Sequence, residues 1–275
     1  IKSIKCSVSS ETNKIDEKTS EVHIKEIPNS DAIFIETELT EGVTSQAISS
    51  DGYICITAFP SFEAKVESNS EFVFVVDCSG SMWGNRISNA AKCMKIFIRS
   101  LPENCKFSIW RFGSTSECMV PSCDYTKENI NRAASLIAKL DADLGGTNLL
   151  DPLVRIMSSE PPEGFTRQMF VLTDGEIGNT KDVLGQVRER RGNNRIFSIG
   201  LGTGADSGLI TGLAEIANGK GIHVYDNDEK LTEKVIGMLE AAIQPAMSNV
   251  SIICEGMTEQ WPSPAPAIYN HSQQN

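Results

Sequence analysis

The chain has 275 residues, with 40% hydrophobic and 22% charged side chains and a net charge of −11. That composition is ordinary for a globular protein, and the negative charge argues against nucleic acid, whose phosphates call for a basic surface. No stretch approaches the run of about twenty apolar residues needed to span a membrane, and the opening residues resemble neither a signal nor a transit peptide, so the sequence reads as a piece of a longer polypeptide.

In chain order, residues 1–70 contain no convincing helix. Residues 32–39 alternate, with Ile33, Ile35 and Thr37 opposite Phe34, Glu36 and Glu38. Residues 53–59 read as another strand and 22–27 as a weaker one, with turn signals at Asp51-Gly52 and Pro60-Ser61. From residue 71 the pattern changes. Residues 72–76 form a continuous apolar run, as in a strand buried on both faces. Ile87, Ala90, Ala91, Met94, Ile98 and Leu101 follow with helical spacing. A strand is predicted over 107–112, then two helices marked by Ile130, Ala133, Ala134, Ile137 and Leu140 and by Leu149, Leu153, Ile156 and Met157. Strands over 169–173, 195–200 and 222–225 alternate with helical faces at Val183, Leu184 and Val187 and at Leu209, Ile210, Leu213 and Ile216. A last amphipathic helix, over about 229–243, ends at Pro245. Residues 249–254 again read as a strand, and 257–275, rich in Pro, Ser and Asn, as an irregular tail.

Strands alternating with helices make βαβ units. The predicted fold is therefore α/β: a doubly wound, mostly parallel sheet with helices on both faces over 71–245. A β-rich flanking module is built from 1–70 and from the 246–275 segment, the two flanks pairing with each other. In such sheets ligands bind beyond the carboxyl ends of the strands, near the point where the strand order reverses.

Three loops at those ends carry oxygen ligands. Asp77, Ser79 and Ser81 stand in VVDCSGSM, Thr147 in GGTN and Asp174 in FVLTDGE. In a loop leaving a strand, alternate residues face one side, so Asp77-x-Ser79-x-Ser81 can converge, with Gly80 allowing a tight path. Gly145-Gly146 lets a second loop approach. Two carboxylates and three hydroxyls form a hard donor set suited to Mg²⁺ (or Mn²⁺), which needs few carboxylates and retains waters. Asp and Ser after a strand also serve as helix caps and turn formers. The co-occurrence of three such loops favours the metal.

The pattern D-x-S-x-S … T … D, complete as Asp77, Ser79, Ser81, Thr147 and Asp174, resembles the metal-ion-dependent adhesion site (MIDAS) of von Willebrand factor type A domains. The likeness spans about 71–245. The stretches RIxxAAxxM, ADLGGTNLLDPL, RQMFVLTDGE, RIFSIGLGTGAD and QPAMSNV are similar to the subgroup carrying a VIT domain before the A domain, which includes inter-α-trypsin inhibitor heavy chains and the vault-associated poly(ADP-ribose) polymerase. The resemblance implies direct ligation by Ser79 and Ser81, ligation by Thr147 directly or through water, and action of Asp77 and Asp174 largely through bound waters. It implies an open position for an Asp or Glu carboxylate of a protein partner, and a last helix that shifts in affinity-switching members. An incidental metal in a scaffold component of a larger assembly is the alternative.

Other readings carry less. Gly200-x-Gly202-x-x-Ala205 with Asp226 matches a dinucleotide fingerprint, but it falls late in the sheet. A metal-dependent hydrolase would need a placed base or nucleophile, whereas His23, His223 and His271 are scattered, so no enzymatic role is expected. Among eight cysteines there is no C-x-x-C pair, which argues against zinc. Cys78, Cys93 and Cys105 fall on core elements, which points to a reduced, cytoplasmic setting. Two N-x-S sequons, at Asn249 and Asn270, keep a secreted protein as the alternative.

Overall fold

The computed structural model describes residues 69–192 and 194–244 and, outside them, eight short strands. The chain divides into two compact units, Ile1–Phe62 and Glu63–Asn275. In the first, β1 (Ser3–Cys6) pairs antiparallel with β4 (Ile35–Glu38), β2 (Ser10–Lys14) with β3 (Ser20–Ile24), and β5 (Gln46–Ser50) with β6 (Tyr53–Thr57). Three of these, β1, β2 and β5, were not predicted. They are short and largely polar, without an apolar run to announce them.

The second unit is built on a six-stranded sheet. Its strands are β7 (Asn69–Asp77), β8 (Lys106–Phe112), β9 (Ser116–Asp124), β10 (Phe165–Thr173), β11 (Arg195–Leu201) and β12 (Gly221–Val224), in the order β12-β11-β10-β7-β8-β9. All neighbours are parallel except β8 and β9. The antiparallel edge strand β9 was not predicted. Its sequence, SECMVPSCD, is mostly polar, and Pro121 is tolerated because an edge strand pairs on one side only. Two further two-residue strands, β13 (Ala246–Met247) and β14 (Ile268–Tyr269), pair with each other. The strand predicted over 249–254 lies outside the described residues.

Side-chain alternation along β7 sorts the core into two layers. Phe72, Phe74 and Val76 face α1 (Asn85–Ser100), α2 (Lys127–Ile137) and α6 (Leu231–Ile243). Val73 and Val75 face α3 (Leu150–Met157), α4 (Thr180–Arg190) and α5 (Ser207–Ile216). The first layer is centred on a cluster of phenylalanines: Phe97 lies tilted 4.6 Å from Phe170, and Phe197 stacks on it at 5.0 Å. Such rings contribute beyond their buried area. This two-sided burial explains why the strand reads as one unbroken apolar run.

From β7 the chain turns through α1 to β8 on one side, and it reaches β10 on the other only after β9, α2 and α3. The strand order therefore reverses between β7 and β10, and the crevice beyond their carboxyl ends is where this fold class binds ligands.

Candidate metal centre

Asp77 is the last residue of β7 and is fully buried. Its Oδ1 accepts the Ser79 backbone N–H at 2.9 Å, which bends the chain back over the strand end. Its Oδ2 accepts the Thr173 hydroxyl at 2.6 Å from the end of neighbouring β10. Burial pushes the Asp77 carboxyl above its ordinary value of 3.8, against the bonds from Ser79 and Thr173, and the nearby Asp174 adds to the rise. A cation at this position would favour the charged form instead.

Ser79 is buried and Ser81 half-buried, with their Oγ atoms 3.0 Å apart. Of the alternate residues expected to converge, the two serines do so directly. Neighbouring ligands of an octahedral ion with bonds of about 2.1 Å sit about 3.0 Å apart. The two hydroxyls match one such edge. Cys78, between Asp77 and Ser79, is buried in the core layer below, and burial pushes its thiol up to about 12.

Asp174 follows β10 and is buried. Its Oδ1 accepts the Glu176 N–H at 3.2 Å and its Oδ2 a bond of 2.7 Å from Arg86 Nη1. Thr173 Oγ1, which donates to Asp77, accepts the Gly175 N–H at 2.9 Å, so one hydroxyl ties both carboxylate-bearing strand ends. Gly175 has φ 73°, a value that favours glycine.

The third loop is held by backbone bonds. The Gly80 N–H donates to Gly145 O at 2.7 Å, and the Leu144 N–H to Cys78 O at 3.0 Å. Gly145 carries φ 73°. Thr147, half-buried, stands two residues beyond that junction. Gly80, predicted to ease the path, is not at positive φ, and a Cβ there would meet Gly145 O at an ordinary 3.5 Å. The position that requires glycine is Gly113, where a Cβ would lie 2.3 Å from Leu144 Cβ. Gly113 and Ser114, whose Oγ accepts the Gly146 N–H at 2.8 Å, shape this loop from the end of β8.

The structure therefore brings Asp77, Ser79, Ser81 and Asp174 together across the switch point and joins the Thr147 loop to Gly80. Thr173, Arg86 and Gly113 were missed as contributors. The T-D-G order pointed at Thr173. Nothing local pointed at Arg86, which is 88 residues from its carboxylate. Among the described residues no group of three or more His, Cys, Asp and Glu is placed to hold a metal. That accords with a donor set of two carboxylates plus hydroxyls, and these residues fit a small hard cation.

The glycine-rich stretch at the end of β11 is committed elsewhere. A Cβ on Gly200 would lie 2.8 Å from His223 Nδ1, and one on Gly202 would lie 3.0 Å from Arg86 Nε. The tight loop is packed against protein side chains.

Comparison with known proteins agrees with this architecture. A von Willebrand factor A domain-containing protein of Dictyostelium discoideum is 39% identical over 203 residues, covering 72% of this chain and 22% of that protein. The chain spans about a quarter or less of the length of the curated relatives it matches. The von Willebrand factor type A structure from Catenulispora acidiphila superposes with a TM-score of 0.56 at 21% identity, covering 70% of this chain and 44% of that one. Proximal thread matrix protein 1 of the mussel byssus, described with a zinc-occupied MIDAS motif, gives 0.51 at 18% identity, covering 64% and 46%. The von Willebrand factor type A domain family matches residues 70–221, more than half of the sequence, and this chain belongs to that family.

Proposed function

We propose that this domain binds one Mg²⁺ (or Mn²⁺) through Ser79, Ser81, Thr147, Asp77 and Asp174 and presents it to an Asp or Glu carboxylate of a protein partner. The observation that carries this reading is the meeting of two buried carboxylates and the 3.0 Å hydroxyl pair at the switch point. In this reading the inner donors are the serine hydroxyls, and the Asp77 and Asp174 carboxylates, each held in place by protein donors on both oxygens, act as neighbouring charges. With the two carboxylates acting largely through bound waters, the dication keeps positive charge in its inner shell, which an incoming carboxylate neutralises. The metal inverts the sign of an acidic surface locally.

The role is adhesive rather than enzymatic. Cys78, the nearest thiol in sequence, is buried, with its thiol pushed up to about 12, and His223, in β12, lies 3.5 Å from Ser207 at the start of α5. We place the domain in the subgroup that couples VIT and A domains, and in a reducing compartment. The free thiols Cys78, Cys93, Cys105, Cys118 and Cys123 support the latter.

Isothermal titration with Mg²⁺ and Mn²⁺ tests the metal. Ser79→Ala and Asp174→Ala should weaken binding sharply while the far-ultraviolet circular dichroism stays native. Wild-type affinity in both variants would contradict the assignment. Affinity capture from the native source, with and without EDTA, tests the partner. Proteins held only with metal, and lost in Ser79→Ala, support the adhesive reading, whereas capture indifferent to chelation supports a scaffold.

A further inference from the structure

One guanidinium gathers three of the loops at the site. Arg86, in the first turn of α1, uses a single nitrogen, Nη1, to reach Ser81 O at 2.9 Å, Asp174 Oδ2 at 2.7 Å and Glu176 Oε1 at 3.2 Å. Its stem is lodged against the β11–α5 loop. A Cβ on Gly202 would lie 3.0 Å from Nε and 3.5 Å from Cγ, and one on Gly204 would lie 3.7 Å from Nη2. That loop is itself fastened to the site, since the Asp206 N–H donates to Asp174 O at 3.2 Å. The side chain is 27% exposed, whereas Asp174 is fully buried. A fixed positive charge therefore sits on a metal-site carboxylate and on the main chain of a metal-site serine.

Resting on the metal reading above, we propose that Arg86 is a positioning residue that restrains the site's grip on its cation. Two consequences follow from its charge and its bond. A guanidinium held against Asp174 repels a dication bound beside that carboxylate. The bond to Oδ2, with the Glu176 N–H on Oδ1, also holds Asp174 in place as a neighbouring charge and keeps it from turning in as a direct ligand. Both effects lower metal affinity and leave more positive charge on the ion for an external carboxylate. Gly202, the second glycine of the stretch that resembles a dinucleotide fingerprint, serves here to make room for this arginine.

The test is Mn²⁺ titration of the whole 275-residue chain, read by calorimetry and by water-proton relaxation of the bound ion. Arg86→Gln removes the charge and the long reach. It should tighten Mn²⁺ binding by roughly fivefold or more and reduce the fast-exchanging waters on the bound ion as Asp174 enters its shell. Arg86→Lys keeps the charge and offers three donors from one nitrogen, so it should stay within about twofold of wild type. Equal or weaker Mn²⁺ binding by Arg86→Gln, with native circular dichroism and a normal wild-type titration, would make Arg86 a strut or a bystander and overturn this inference alone. A wild-type chain that takes up no Mn²⁺ would overturn the metal reading and this inference with it.

Discussion

At the amino end of β7, Glu71 is buried and joined to Arg167 on β10 at 2.8 Å, directly across the register. At the carboxyl end of the same strand Asp77 is buried and joined to Thr173 on β10. The first network is closed. Glu71 also accepts the Ser122 hydroxyl at 2.7 Å, and Arg167 donates to Ile156 O and Ser159 O, each at 2.7 Å, and to Glu160 O at 3.1 Å. The charges balance and the donors end on protein oxygens. The second network is open. Protein donors hold the carboxylates, but the two serine hydroxyls face each other, each with lone pairs left over. β7 thus carries a buried carboxylate at both ends, each held from neighbouring β10. The end that completes itself secures the fold, and the end that does not is the one that can take a ligand.

The largest effect should come from the closed end. Arg167→Met leaves Glu71 buried without its counter-charge and strips three carbonyls of their donor. Breaking a buried pair from one side costs about 3–5 kcal/mol. Urea unfolding of the variant should show that loss, and Mg²⁺ affinity of the folded fraction should be unchanged. A large drop in affinity would mean that the two ends are coupled and the contrast is wrong.

Thr173→Val tests the open end without touching a ligand. It removes the hydroxyl that donates to Asp77 and accepts from Gly175. Partners that orient ligands typically carry about 10–100-fold in metal affinity, and titration should find a loss in that range with a smaller change in urea midpoint. An unaltered titration would show that Asp77 needs no orientation from β10.

The two ends also differ in how far the chain alone reveals them. The run at 72–76 predicts β7 because a strand covered on both faces must be apolar throughout. The D-x-S-x-S spacing predicts the hydroxyl pair because side-chain alternation is a local property. The amino-end network is hidden. Residues 165–168, FTRQ, look like a loop before the apolar run at 169–173, yet they are strand, and Arg167 and Gln168 are buried. A charge is buried there only because Glu71 lies opposite, 96 residues earlier. The same holds for Arg86 and Asp174, and for Gly113 against Leu144. Contacts between loops that meet only after the sheet is assembled leave no periodic trace. The polar edge strand β9 fails to announce itself for a related reason, since one side of its ladder is unpaired and its outer face is wet.

The smallest test compares the two hydroxyls that donate to the two carboxylates of β7. Ser122, on the edge strand, is exposed, so water can take its place on Glu71 when Ser122→Ala removes it. The net loss should be about 0.5–1 kcal/mol, at the low end for a hydrogen bond, visible as a melting shift of a few degrees at most. Metal affinity should not change. Thr173 is fully buried, where no water can substitute, so the same chemical deletion at the other end should register in the titration instead. If Ser122→Ala proved as costly as Arg167→Met, the edge hydroxyl rather than the cross-strand charge would be what closes the amino end, and the stability of that end would rest on β9 instead of on the β7–β10 pair.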